Sequence, residues 1–231
     1  MNTEQEALRA QAIAAVRRLD ALGLNRGSTG NLSLRFSHQG RPGMLITPTG
    51  MGADDMQPAD LVWVGEDGGF EGPWQPSSEW HFHQATYRAR PDLMAVLHTH
   101  SVHAAALACL RRKLPAFHYM VAVAGGDDVP LVPYFTFGTQ ALSDAVASAM
   151  ARRDACLLAN HGLVAAGRSL AQAIKVLLEI ESLCEVYLKA LAVAEPALLS
   201  TAEMTQVIEK FAHYGRRAAL GTGPNLVSAS T

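Results

Sequence analysis

The sequence predicts a single α/β domain in which helices flank a central mixed β-sheet. Three observations support this fold class. The chain has 231 residues, of which 49% are hydrophobic and 17% are charged, so it can bury a core without disulfides and is too apolar to be disordered. Short apolar segments alternate with longer segments of helical periodicity. The first strands are also close enough in sequence to form a hairpin.

The N-terminal part of the chain is predicted to form a helix followed by an antiparallel unit. Residues 3–22 place apolar side chains at helical spacing, so an amphipathic helix opens the chain. The run 25–31, rich in glycine and hydroxyl groups, then forms a loop. Residues 32–36 alternate as a half-buried strand does, and the turn that follows joins them to a second strand at 44–47. A third strand is predicted at 61–64.

The rest of the chain alternates between helices and strands. A helix is expected to begin after Ser77 and Ser78 and to stop near Ala89, because a proline follows. The remaining predictions, in chain order, are a strand at 94–98, a helix at 101–110, a strand at 129–132, a helix at 140–150, a strand at 155–158, a long helix from about Leu170 to Leu188 and a last helix at 202–213. We expect one domain over residues 1–220 and a flexible tail over 221–231.

Charge balance and cysteine content exclude several function classes. The chain has 19 Lys and Arg against 21 Asp and Glu. It therefore lacks the excess of basic residues that would indicate a nucleic-acid or membrane partner. No apolar run approaches the roughly 20 residues of a membrane span, and the N-terminus lacks the pattern of a signal peptide. Three cysteines, with no CxxC spacing, are typical of reduced core residues. We therefore expect a cytoplasmic protein.

Three histidines could form a metal site. His98 and His100 end a predicted buried strand, where alternate side chains point the same way, so both imidazoles could bind one metal. His161 follows another apolar strand and would complete a set that leaves one position for water or substrate. Ordinary buried or turn histidines would explain each separately. His81 and His83 lie two positions apart on a helix, do not face each other, and are given no special role.

Several polar groups could bind a phosphate. Ser77 and Ser78 stand at a helix start, where hydroxyls and free backbone N–H groups bind anions, although ordinary capping is an alternative. Glu79 follows them and could be a fourth metal ligand or a base. The loops 27–31 and 47–50 could present backbone N–H groups to the same anion. Neither loop matches a nucleotide-binding fingerprint, and turn chemistry explains either one alone.

Tyr119 is a candidate proton donor. It lies shortly before a Gly125-Gly126 turn and could act if a nearby cation lowered its pKa. A partly buried tyrosine without a catalytic role explains the same pattern.

Six short motifs occur in a fixed order and together point to one family. They are Gly30-Asn31-Leu32-Ser33, Ile46-Thr47-Pro48-Thr49-Gly50, Ser77-Ser78-Glu79-Trp80, Val96-Leu97-His98-Thr99-His100, Phe135-Thr136-Phe137-Gly138-Thr139 and Asn160-His161-Gly162-Leu163. The series resembles the class II aldolase and adducin family, and the resemblance extends from about Leu8 to Gly215. The ordered set is specific to the family and less specific to one substrate.

The resemblance implies a mostly antiparallel sheet and a metal-dependent site. A divalent metal, usually zinc, with Mn²⁺, Co²⁺ or Fe²⁺ as alternatives, would be bound by His98, His100 and His161. Glu79 would ligate the resting metal and then swing away to act as the base. Asn160 stands where an aldolase of the family has a histidine, which affects the tuning of the metal rather than its binding.

The resemblance also implies a phosphate site and an oligomer. The substrate phosphate would lie among Gly30, Asn31, Thr49, Gly50, Ser77 and Ser78. Tyr119 would reach the site from a neighbouring subunit, and Tyr214 would close over it. The family's aldolases are C4 homotetramers with sites at subunit interfaces.

The implied reaction is the reversible cleavage of a ketose 1-phosphate to dihydroxyacetone phosphate and an aldehyde through a metal-stabilised enediolate. The substrate would be L-fuculose 1-phosphate or a related 5-deoxy or 5-methylthio pentulose 1-phosphate. The turn 37–43 is longer than in the aldolase that the chain resembles, and the tail beyond Tyr214 also differs from it. The identity of the aldehyde part of the substrate is therefore left open.

Other reactions on the same scaffold are a sugar-phosphate 4-epimerase, a methylthioribulose-1-phosphate dehydratase and a decarboxylase of a 3-oxo acid phosphate. Family epimerases carry an aspartate at the position of Glu79, so the glutamate favours an aldolase. A non-catalytic adducin-like module is a further alternative, and the presence of all four candidate ligands argues against it.

Overall fold

The computed structural model of the protein describes residues 3–213. Its strands are β1 (Asn31–Arg35), β2 (Gly43–Ile46), β3 (Val62–Gly65), β4 (Phe70–Glu71), β5 (Ala95–Thr99), β6 (Leu131–Val132), β7 (Ala155–Leu158) and β8 (Gly162–Gly167). They form one sheet in the order β4-β3-β2-β1-β5-β8-β7-β6. The β6–β7 pair is parallel and the other six pairings are antiparallel. The expected mixed, mostly antiparallel sheet is thus confirmed.

The described residues include six α-helices, all predicted from the sequence. They are α1 (Thr3–Ala21), α2 (Trp80–Ala89), α3 (Val102–Cys109), α4 (Gln140–Met150), α5 (Leu170–Leu191) and α6 (Thr201–His213). Hydroxyl caps fix the starts of two of them. Thr139 Oγ1 accepts from the backbone N–H of Leu142, and Ser169 Oγ from that of Gln172, which satisfies backbone donors that a helix start leaves free.

Helices cover both faces of the sheet. Strand residues such as Leu97 and Leu157 pack against α1, α3, α5 and α6. Their neighbours Val96 and Cys156 point the other way and pack against α2 and α4. The period of two along each strand therefore builds two cores, one on each face.

Two strands were not predicted, and one was predicted too long. β4 has only two residues and both are exposed. β8 is central and buried along its whole length, but its sequence consists largely of glycine and alanine, which have low strand propensity. The strand expected at 129–132 shortens to Leu131–Val132, because Pro130 has no N–H to donate and Val129 pairs instead with Leu114.

Two further expectations can be compared with the described residues, and a third falls outside them. No helix among them is long and apolar enough to cross a membrane. Cys109, Cys156 and Cys184 are free, and Cys156 and Cys184 are buried as expected. Cys109 is exposed at the C-terminal end of α3, so the expected core position is wrong for this residue. The tail predicted at 221–231 lies outside the described residues.

A buried carboxylate on α5 caps the start of α3, the helix that follows His98 and His100 in the chain. Glu181 of α5 is 8% exposed and accepts hydrogen bonds of 2.9 Å from the backbone N–H groups of His103 and Ala104, in the first turn of α3. It also accepts from His103 Nδ1. The carboxylate therefore caps α3 from a neighbouring helix.

Replacing this cap should destabilise the fold. We expect Glu181→Ala to lower the free energy of unfolding by about 1–3 kcal/mol, because it leaves buried N–H donors without partners. Urea denaturation followed by circular dichroism measures the change. The control is Glu185→Ala on the same helix, which removes only an exposed ion pair with Lys189 and should be nearly neutral. Equal stability of the two variants would contradict the capping role.

Candidate metal centre and active site

Strand pairing brings three histidines to one point. His98 lies on β5 and His100 directly after it, whereas His161 lies in the turn between β7 and β8. Because β5 pairs antiparallel with β8, with Thr99 opposite Leu163, the end of β5 meets the start of β8. The candidate ligand nitrogens of the three histidines all lie within 4.8 Å of one another.

The two residues that flank His161 in the chain allow its turn to form. Asn160 has a φ of +56°, a left-handed conformation that asparagine adopts more readily than most residues. A Cβ on Gly162 would lie 2.3 Å from the carbonyl oxygen of Thr99 and 3.3 Å from two imidazole rings. The absence of a side chain at Gly162 therefore lets the turn approach the end of β5.

Glu79 completes the cluster from the other side. It directly precedes α2 and is 7% exposed. Its Oε2 lies 3.3 Å from His98 Nε2, and its Oε1 lies 3.3 Å from His161 Nε2. Asn31 Nδ2 donates to Oε2 at 3.0 Å. Oε1 is buried and has no hydrogen-bond partner among the described residues, which is a costly state for a carboxylate oxygen.

The protonation of the rings suits metal binding. His98 Nδ1 donates to the carbonyl oxygen of Leu163 at 3.0 Å, so the lone pair of the neutral ring is on Nε2. That nitrogen faces His100 Nε2 at 3.0 Å, an approach that needs a proton or a cation between the two. Burial lowers the pKa of His98 to about 3 and that of His161 to about 4, so both rings are neutral near pH 7.

The residues present therefore fit a divalent cation. Three neutral imidazole nitrogens and an unpartnered carboxylate oxygen converge on the same space, a donor set typical of zinc and related metals. The hydrogen bond at His98 Nδ1 is the usual device that orients a ligating imidazole. His81 and His83 do not belong to this group.

A cavity of about 340 Å³ lies beside the cluster. Glu79, His100 and His161 line it. So do all six residues expected around a phosphate, namely Gly30, Asn31, Thr49, Gly50, Ser77 and Ser78. Three of the four candidate metal ligands thus share one chamber with the candidate phosphate site, and the fourth, His98, is buried behind it.

Backbone pairing assembles the phosphate side of this cavity. Ser77 N–H donates to the carbonyl oxygen of Thr47, and Thr49 N–H donates to that of Gln75. These bonds join the loop after β2 to the segment before α2. Gly30 has a φ of +74°, and a Cβ there would lie 2.7 Å from the carbonyl oxygen of His98. Because Ser77 and Ser78 precede a helix, its N-terminal dipole favours an anion at this position.

The structure also identifies cavity residues to which the sequence analysis gave no role. Tyr134, Phe135 and Phe137 line the cavity. Two of them belong to the Phe135–Thr139 motif, so the signal was present without an assigned function. Asn160 also lines the cavity, and its Oδ1 accepts from Arg111 Nε at 3.2 Å.

Tyr119 is separate from this cavity. Tyr119 begins the 3₁₀ helix Tyr119–Ala124, is 51% exposed and is not among the lining residues. The chain therefore does not bring Tyr119 together with its own Glu79. Tyr214 lies outside the described residues.

Comparisons with known proteins agree with this arrangement. Residues 10–188 match the family model described as the class II aldolase and adducin N-terminal domain. A 5-methylthioribulose-1-phosphate/5-deoxyribulose-1-phosphate aldolase from Rhodospirillum rubrum is 49% identical over 94% of this chain and 97% of that protein. An L-fuculose phosphate aldolase from Escherichia coli K12 is 44% identical over 93% of this chain and 98% of that protein. A solved structure of an L-fuculose 1-phosphate aldolase superposes with a TM-score of 0.85 at 38% identity, covering 92% of this chain and 98% of that one.

Removing a histidine of the cluster should abolish metal binding. We expect His98→Gln and His161→Gln to reduce the divalent metal retained per chain by at least about tenfold, because each loses one nitrogen ligand. Elemental analysis after dialysis measures the metal content. The control is His38→Gln, in the turn between β1 and β2, which should retain the metal of the unmodified protein. Full metal content in His161→Gln would contradict the assignment.

Proposed function

This chain belongs to the class II aldolase and adducin family, and we propose that it is a divalent-metal-dependent aldolase. It reversibly cleaves a ketose 1-phosphate to dihydroxyacetone phosphate and an aldehyde. One observation carries the proposal: three of the four candidate metal ligands, Glu79, His100 and His161, line the same cavity as the phosphate-binding loops. A ketose 1-phosphate presents its carbonyl and its phosphate a short distance apart, which matches such a chamber.

The phosphate loops orient the substrate. In the proposal, Ser77 and Ser78 at the start of α2 and the Thr49-Gly50 loop hold the phosphate by hydroxyl and backbone N–H groups. Gly30, directly before β1, and Asn31, the first residue of β1, also contribute. The net charge of −2 does not oppose this binding, because a few local donors are sufficient for one small anion.

Glu79 moves the proton at carbon. A divalent cation, zinc or alternatively Mn²⁺, Co²⁺ or Fe²⁺, held by His98, His100 and His161 would supply Lewis-acid stabilisation of the enediolate charge. Glu79 removes a proton from dihydroxyacetone phosphate at the carbon that forms the new bond, and in cleavage it returns that proton. Its unpartnered Oε1 is suited to this exchange.

Tyr119 completes the site from a neighbouring subunit. We propose that its hydroxyl exchanges a proton with the aldehyde oxygen and that Tyr214 closes the site. Tyr119 is half exposed and outside its own chain's cavity, which favours action across an interface. The working unit in this proposal is a C4 homotetramer, and its expected location is the cytoplasm.

The substrate proposed here has an apolar end. Tyr134, Phe135 and Phe137 give the cavity an aromatic lining, which suits the methyl or methylthio group of a 5-deoxy or 5-methylthio pentulose 1-phosphate or of L-fuculose 1-phosphate. Glu79, rather than an aspartate, supports an aldolase over a 4-epimerase on this scaffold.

Replacing the base should remove turnover. We expect Glu79→Gln to lower kcat for ketose 1-phosphate cleavage by about 10²–10⁴-fold, because the amide cannot carry the proton. Dihydroxyacetone phosphate is detected with a coupled dehydrogenase. The control is Glu66→Gln, an exposed acid after β3, which should retain activity. Absence of dihydroxyacetone phosphate from the unmodified protein with every ketose 1-phosphate tested would overturn the aldolase proposal, and an epimerase or dehydratase would give that result.

The interface role of Tyr119 can be tested with hybrids. Glu79→Gln and Tyr119→Phe homotetramers should both be nearly inactive. Coexpression of the two variants should restore activity to about one quarter of the unmodified level, since about one site in four then receives an intact residue from each of two chains. The control is a mixture of separately purified variants without subunit exchange. Inactive hybrids of confirmed mixed composition would place both residues in one chain's site.

A further inference from the structure

One histidine outside the metal cluster contacts the site through a single residue. His83 of α2 is completely buried, and it lies four residues after Glu79, one helical turn further on. Both of its ring nitrogens are engaged. Nε2 lies 2.5 Å from Asn31 Oδ1, and Nδ1 lies 2.8 Å from Ser33 Oγ.

Asn31 and Ser33 belong to the same face of β1. They are two positions apart on the strand, so both side chains point towards α2. The His83 ring lies between them and links the strand to the helix. The Tyr87 hydroxyl lies 3.0 Å from both Ser33 Oγ and the Ser33 carbonyl oxygen, and both oxygens can accept its single hydrogen.

The direction of these hydrogen bonds is fixed at the Asn31 amide. Glu79 Oε2 is a carboxylate oxygen and accepts from Asn31 Nδ2 at 3.0 Å, so Asn31 Oδ1 must face His83. An amide oxygen only accepts, so His83 Nε2 carries the hydrogen and Nδ1 accepts from Ser33 Oγ–H. Each donor in the series therefore points towards Glu79.

We infer that His83 is a positioning residue that locks the Asn31 amide and thereby holds the Glu79 carboxylate at the metal site. Without the ring, Asn31 could rotate by half a turn and present its oxygen to the carboxylate, and two acceptors would then repel each other. His83 touches neither substrate nor metal in this role. The inference rests on the proposed function of Glu79 as ligand and base, and it assigns to His83 a role that its spacing in the sequence did not reveal.

Two substitutions at position 83 separate positioning from simple burial. His83→Gln keeps a side-chain N–H that can reach Asn31 Oδ1, whereas His83→Asn is too short to reach it and keeps only a group near Ser33. If His83 only filled space in the core, the glutamine and asparagine substitutions would change Co²⁺ affinity and kcat by about the same factor. The matched control is Thr86→Val on the same helix. Thr86 is also fully buried, but its hydroxyl donates to the Phe82 carbonyl oxygen, away from the site.

The measurements are Co²⁺ affinity and steady-state kinetics of the full chain. We expect His83→Asn to weaken Co²⁺ binding, followed by the visible spectrum, by about 10–100-fold and to lower kcat by a similar factor with a smaller change in KM. His83→Gln should stay within about threefold of the unmodified protein in both, and Thr86→Val should match it. Equal effects of the two His83 variants, or unchanged Co²⁺ affinity in folded His83→Asn, would overturn the inference.

The design also separates this inference from the aldolase proposal. If the unmodified protein produces no dihydroxyacetone phosphate, the aldolase proposal fails, but the Co²⁺ titrations still decide the role of His83. If His83→Asn does not fold, the ring tautomer of His83 in the unmodified protein decides, measured by ¹⁵N–¹H correlation of histidine-labelled protein. An Nε2–H tautomer supports the inference and an Nδ1–H tautomer overturns it.

Discussion

The antiparallel pairing of β5 with β8 is the constraint on which the candidate site depends. It places the end of one buried strand beside the turn that begins the other, so His98 and His161 meet although they are 63 positions apart in the chain. The approach is close enough that Gly162 has no space for a Cβ. A shift of one residue in this register would turn His98 to the opposite face of the sheet and disperse the cluster.

Burial gives the cluster its chemistry and makes it demanding to fold. His98 is fully buried and Glu79 nearly so, and removing such groups from water costs free energy unless they have partners. The same burial lowers the pKa of His98 to about 3 and leaves the ring ready to bind a metal. Glu79 Oε1 is left without a hydrogen bond among the described residues. Binding a cation would offset these costs, so metal binding and stability are expected to be coupled.

The connection between α2 and β1 extends the site into the core. Asn31 lines the cavity and also holds Glu79, while its other end contacts His83. A change at a fully buried histidine is therefore transmitted to the cavity through one amide. Polar networks of this type act as a unit because hydrogen bonds in series polarise one another. This is why the precise geometry of the carboxylate depends on residues that do not border the cavity.

The sequence by itself determined the six helices, most strands, and most of the polar residues that line the cavity, because periodicity and short motifs are local properties. It did not reveal β8, whose small residues are strand-like only when both faces are buried, nor the link from His83 to Glu79. Spacing along α2 excluded a His81–His83 metal pair, but it carried no information about what β1 would place against that helix. Only the tertiary structure decided which polar groups became partners, because buried hydrogen bonds form between segments that the sheet brings together. The order of the strands in the sheet cannot be read from the local sequence of any single strand.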